Sequence, residues 1–250
     1  METTIARRRV FVTGGTGYLG QRLIPALLQG GHEVRALVRP GSEHRLPVGC
    51  AAVIGNALVE ASFSARVAPA DTFVHLVGVS HPAPWKKRQF REVDLASVQA
   101  SVVAAQAAGI HHFVYLSVAQ PAPVMREYIA VRAECEALIA AAGLPATFVR
   151  PWYVLGPGHR WPLALIPFYA LAERLPATRD TARRLGLVTL RQTVAALVQA
   201  VESPADGTRA WGVEEIRDPQ AASNRPGGST SRPPSSKAWA GATRPARRSL

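Results

Sequence analysis

The sequence predicts an α/β fold, a doubly wound parallel sheet with a small C-terminal substrate lobe and a disordered tail. Three observations predict it. Apolar runs rich in β-branched residues alternate with longer Ala/Leu-rich segments, the pattern of strands followed by crossover helices. The first apolar run opens directly into the glycine-rich stretch Thr13-Gly14-Gly15-Thr16-Gly17-Tyr18-Leu19-Gly20. A chain of 250 residues with 48% hydrophobic and 18% charged content holds enough apolar material for a sizeable core.

In order along the chain, strands are expected at 9–13, 33–38, 51–54, 72–77, 112–117 and 146–150, each a short apolar run between turn signals. Helices are expected at 19–29, 91–108 and 126–142, ended by Gly30-Gly31, Gly109 and Gly143. One short helix is expected between 55 and 70. After Pro151 prolines and aromatics become frequent, followed by a strand at 185–190, a helix at 191–201 and a last strand at 208–216. The expected division is therefore a dinucleotide-binding domain at 1–150, a substrate lobe at 151–217 and a basic Pro/Ser-rich tail at 218–250. That tail is either an unstructured extension or an interaction arm.

Several function classes are excluded at this stage. The longest apolar run, 161–172, is too short for the roughly 18 to 20 residues of a membrane span. Arg7, Arg8 and Arg9 precede a first strand rather than a signal-peptide core, so export is not indicated and a cytoplasmic location is expected. Cys50 and Cys135 form no CxxC pair, which gives neither a disulfide framework nor a zinc site. His75, His81, His111 and His112 have no ligand spacing, and no metal is assigned. The net charge of +12 raises nucleic acid as a partner. Half of that excess lies in 217–250, and no nucleic-acid module accompanies it, so none is predicted. A Gly-x-Ser-x-Gly elbow and a P-loop lysine are both absent, leaving ester hydrolysis and phosphoryl transfer without a foothold. Oligomeric state is open.

The glycine stretch carries the sharpest chemistry. Gly15, Gly17 and Gly20 fit G-x-G-x-x-G, and Gly14, Gly17 and Gly20 fit the related T-G-x-x-G-x-x-G spacing behind Thr13. Residues without Cβ tighten the turn, let main chain approach a pyrophosphate and let the helix pack close to the strand. Helix N–H groups then face the anion. The second strand ends in Val38-Arg39 where an acid would hold the ribose hydroxyls of NAD. A guanidinium there suits a 2′-phosphate, so NADP is expected, with NAD the alternative should Arg39 be a solvated strand-end charge. Arg35, on the same strand face, either assists or is solvated.

With these residues in place, the chain resembles the extended and atypical short-chain dehydrogenase/reductases, in particular the epimerase/dehydratase-like, NmrA-like and complex I accessory-subunit-like branches of this Rossmann superfamily. The resemblance spans about residues 8–216. Its landmarks are the 13–20 loop, Gly55-Asn56 where the family often has Gly-Asp near adenine, and Leu76-Val77-Gly78 ending the strand beneath the cofactor. Next come Tyr115-Leu116-Ser117 as the strand ending in the active-site serine, Tyr128-Ile129-Ala130-Val131-Arg132 as the Tyr-x-x-x-Lys helix, and the Arg150-Pro151 turn running to Gly158. The resemblance implies cofactor contacts from Thr13, Gly14, Gly15, Thr16, Gly17, Tyr18, Leu19, Gly20, Arg39, Asn56, Leu76, Val77, Gly78, Arg132 and Pro151. It implies a catalytic set of Tyr128, Arg132 and Ser117, with the phenol exchanging a proton while hydride moves to or from nicotinamide.

Two departures bear on chemistry. Arg132 stands where the family has lysine; it keeps the charge and the ribose contact but cannot release a proton. In epimerase-like relatives the serine often lies one place later, where this chain has Val118, so Ser117 can face away from the substrate. Two hypotheses follow: an NADP-dependent oxidoreductase of a carbonyl or quinone-type substrate, or an NADP(H)-binding regulator or accessory subunit without turnover. For Tyr128 the second implies a half-buried aromatic on an amphipathic helix. The uncharged stretch 161–172 is either a buried helix of the second lobe or the wall of an apolar substrate pocket. A peripheral membrane contact near Arg174, Arg179, Arg183 and Arg184 is the less expected use. Trp85-Lys86-Lys87-Arg88 is read as a solvated face, and Asp94, where many relatives have asparagine, as a locally bonded helix residue.

Overall fold

A computed structural model describes residues 6–122, 124–157 and 185–223. Seven parallel strands form one sheet in the order β3-β2-β1-β4-β5-β6-β9. They are β1 (Arg9–Thr13), β2 (Glu33–Val38), β3 (Ala51–Ile54), β4 (Thr72–His75), β5 (His112–Leu116), β6 (Ala146–Val149) and β9 (Thr208–Trp211). A second, two-stranded parallel sheet pairs β7 (Tyr153–Leu155) with β8 (Leu187–Thr189). The central strands read as nearly continuous apolar runs because helices cover both faces.

Alternation along the strands sorts the core into two layers. Phe11, Phe73, Phe113 and Tyr115 point to one face, where α3 (Ala96–Ala107) and α4 (Arg126–Ala141) supply Val98, Val131, Cys135 and Ile139. Stacked rings tie neighbouring strands there, Phe73 lying 5.0 Å from Phe113. Val10, Val12, Val74, Val114 and Val149 face the other way, onto Leu23, Ile24 and Leu27 of α1 (Gly20–Gln29) and Leu197 and Val201 of α5 (Leu190–Glu202). Pro25 cannot donate within α1, yet the helix runs through it because its Leu23–Leu27 face is buried on the sheet. Gly31, at φ +81°, ends α1 in the left-handed region.

The structure differs from the sequence expectations at several places. Residues 55–70 contain no α-helix, only the 3₁₀ turns Glu60–Ser62 and Ser64–Arg66. The helix expected at 91–108 starts as a helical turn α2 (Lys87–Gln89), passes through a π segment (Phe90–Leu95) and only then becomes α3. The last strand stops at Trp211; Gly212 turns the chain into α6 (Val213–Arg217), whose Ile216 is buried.

Strand β9 pairs with β6 in the main sheet, and α5 and α6 pack on that sheet, so 190–217 are continuous with the sheet of residues 9–149. Helix α5 starts at a capping box formed by Thr189 and Gln192. The expected tail starts too early: α7 (Pro219–Ser223) is folded and Ala222 is buried. The apolar stretch 161–172, the arginines at 174, 179, 183 and 184, and residues 224–250 lie outside the described residues. No helix among the described residues is long and apolar enough to cross a membrane.

Candidate functional site

Strand order reverses at β1, which pairs with β2 on one side and β4 on the other. In open α/β sheets ligands bind in the crevice outside the carboxyl ends of strands at such a point. Here a crevice of about 270 Å³ is lined by Tyr18 and Leu19 after β1, Leu76, Gly78 and Val79 after β4, Leu116 of β5, Tyr128 and Arg132 of α4, and Tyr153 and Val154 of β7. The glycine turn and the Tyr-x-x-x-Arg helix therefore meet in one place.

Sterics dictate the glycines. A Cβ on Gly20 would stand 2.5 Å from the carbonyl oxygens of Gly14 and Gly15, and one on Gly14, at φ +77°, 3.0 Å from the Leu76 backbone. The turn is closed by Gly17 N–H donating to Gly14 O at 3.0 Å. Thr13 does not face the crevice: it is buried, with Oγ1 3.0 Å from His75 Nδ1. His75 also meets Ser101 and Ser97 on α3, at 3.0 and 3.3 Å. Burial first, and then the Arg132 charge, push the His75 imidazole down to about 3. A neutral His75 thus ties the glycine turn to α3 from beneath. The carbonyl of Thr16 accepts from Arg45 Nη2 at 2.8 Å, a contact that sequence reasoning missed because no motif marks residue 45.

Arg132 is 5% exposed and built into the site. Its Nη2 lies 2.7 Å from Asp94 Oδ1, and its Nη1 donates to Tyr115 OH at 3.1 Å and Leu116 O at 2.8 Å. The guanidinium passes over Gly78, where a Cβ would collide with Nη2. It lies 5.1 Å from the centroid of the Tyr128 ring, which also packs on Phe90 at 5.0 Å. Burial raises the Tyr128 phenol above its ordinary value, with Arg132 pulling against it. Burial likewise raises the Asp94 carboxyl, opposed by Arg132 and by the Val79 N–H, which donates to Oδ2 at 3.0 Å.

Asp94 is thus corrected from a locally bonded residue to the buried partner of Arg132; neither residue's surroundings announce a pairing across 38 positions. Ser117 is buried, lies off the crevice, and its Oγ has no hydrogen-bond partner among the described residues. Pro151 is also buried away from it, its carbonyl accepting from Ala119 N–H. Arg39 is exposed just beyond the end of β2. Asn56 is spent on its own turn, its Oδ1 accepting from Leu58 N–H.

Comparison with known proteins matches this geometry. Residues 14–159 match the family described as NAD(P)H-binding. The chain belongs to the NAD(P)H-binding family. As a member of it, the protein is 30% identical over 206 residues to ceramide reductase of Caulobacter vibrioides, covering 82% of this chain and 64% of that protein. It therefore spans less than two thirds of that relative's length. It is also 30% identical over 226 residues to 3-diazoavenalumate denitrifying reductase of a Streptomyces species, covering 80% and 74% of the two chains. The enzyme WbmH of Bordetella bronchiseptica, solved in complex with NAD+, shares the fold at a TM-score of 0.62 and 19% identity, over 84% of this chain and 79% of that one.

A dinucleotide fits this chain's residues. A Cβ at Gly20 would strike the carbonyls of Gly14 and Gly15, so glycine keeps the 14–20 turn tight against its helix, and the loop would hold the diphosphate through its N–H groups. Leu76 and Gly78 line the same crevice.

Proposed function

We propose that the protein is an NADP-dependent reductase of a carbonyl or quinone-type substrate with an apolar body. The observation that carries this reading is that Tyr128 and Arg132 line the same crevice as Tyr18 and Leu19 of the glycine turn. When bound, NADPH would supply the hydride for the carbonyl carbon. Tyr128 Oη supplies the proton to the carbonyl oxygen, and water returns it afterwards. The Tyr128 phenol, raised above its ordinary value by burial, carries the proton this step needs. The NADP preference is supported by exposed Arg39 after β2, with no acid at the strand end, and by Arg45 on the same loop. Apolarity is supported by Leu19, Leu76, Val79 and Leu116 on the crevice wall, and by similarity to a protein named for reducing a lipid, ceramide.

A second reading, an NADP(H)-binding regulator or accessory subunit, is favoured by one observation. Ser117 sits off the crevice and Arg132 is already paired with Asp94. Oxidation of NADPH across a panel of long-chain ketones and quinones separates the two. The reductase reading expects turnover that Tyr128→Phe lowers about 10²- to 10⁴-fold with NADPH affinity unchanged. Tight NADPH binding without turnover on any acceptor gives the second reading.

A further inference from the structure

Arg132, the cation beside the Tyr128 ring, is itself paired with a buried carboxylate. We infer that Asp94 is a positioning residue that pairs with Arg132 and offsets part of its charge at the Tyr128 phenol.

The geometry is specific. The Arg132–Asp94 contact of 2.7 Å is buried on both sides, at 6% and 0% side-chain exposure. Gly78 gives the guanidinium its passage, and the Val79 N–H fixes the other carboxylate oxygen. The Asp94 main chain is held in turn, its carbonyl accepting from Ser97 Oγ at 3.1 Å. The groups facing Tyr128 are Arg132 and Cys135 from α4, and Asp94 with the Phe90 ring from the π segment. Tyr115 of β5 reaches it only through Arg132, and Tyr18 and Tyr153 lie across the crevice. Within this set Arg132 is the one cation. A lone guanidinium at 5.1 Å from the ring would favour phenolate, whereas a carboxylate 2.7 Å from that guanidinium opposes it. Use of the phenol as proton donor rests on the reductase reading above; the offset itself does not.

Difference titration of tyrosinate absorbance between the full-length protein and Tyr128→Phe reads Tyr128 directly. In the parent it is expected to titrate above the ordinary value of 10.0. Asp94→Asn, which leaves Arg132 unopposed, is expected to lower that point by about 1 to 3 units. Arg132→Lys alone, which keeps a cation against the carboxylate, should stay near the parent. Asp94→Asn/Arg132→Lys places a smaller unpaired ammonium in the site and should shift Tyr128 downward as well, serving where Asp94→Asn does not fold. A parent Tyr128 titrating below the ordinary value, or one titrating identically in the parent and the Asp94 variants, overturns the inference. No substrate or nucleotide is present in this titration, so a failure of turnover in the carbonyl panel strikes the reductase reading alone.

Discussion

The two halves of the crevice are built from different materials. On the β1–α1 side the site is main chain: a turn whose shape is enforced by the absence of side chains at Gly14 and Gly20. On the β5–α4 side it is side chains: Tyr128, Arg132, Asp94 and Tyr115, held by one another in a buried polar cluster. A main-chain site is fixed by local spacing and tolerates little; a side-chain site depends on partners far apart in sequence and can be retuned by paired substitution. The glycine turn keeps the T-G-x-x-G-x-x-G spacing, while the α4 side sets Arg132 against Asp94.

The largest effect that would break this contrast falls on the main-chain half. Gly20→Val puts a branched side chain against the carbonyls of Gly14 and Gly15, and calorimetry should show NADPH binding weakened beyond about 1,000-fold, some 4 kcal/mol. Retained affinity would mean that the turn does not hold the diphosphate.

Two histidines buried in the sheet make the fold respond to pH. Burial pushes the imidazoles of His75 and His112 down to about 3 from the ordinary 6.5. Each is neutral in the fold and charged when unfolded below about 6.5. The unfolded state therefore binds more protons between these values. Their contribution is complete above pH 6.5 and is lost as pH falls toward 3, at about 1.4 kcal/mol per unit for each histidine. Urea unfolding at pH 7 and pH 5 should show that decline; a flat profile would mean that both rings titrate at ordinary values in the folded protein.

The smallest effect sharpens the nucleotide preference. Arg39→Ala should cost about tenfold in NADPH affinity, near 1.4 kcal/mol, and leave NADH unchanged. Equal losses for both nucleotides would remove the 2′-phosphate contact.

Legibility in the sequence follows the same division. The strands at 9–13 and 33–38 stand where the apolar runs put them, because strands inside a parallel sheet covered on both faces are largely apolar; the edge strand at 51–54, with only Val53 buried, was marked by its short apolar run between turn signals. The glycine turn was legible because its constraint is local. The π segment at Phe90–Leu95 was not, since an i→i+5 ladder leaves no periodic mark over six residues. Strand β9 was assigned to a lobe because pairing with β6 crosses 62 positions, as Ala146 opposite Thr208 shows. In the site, Tyr128 and Arg132 were placed on one helix face by their spacing of four. The partnership of Arg132 with Asp94 required the fold, and so did the burial of Ser117 away from the crevice.

Calorimetric titration of the full-length protein with NADPH tests the central claim most directly, since every role assigned to the crevice presumes a dinucleotide on the 14–20 turn. The account predicts saturable binding at one site per chain, displaced by adenosine 2′,5′-bisphosphate. Heats no greater than dilution at millimolar NADPH would contradict it.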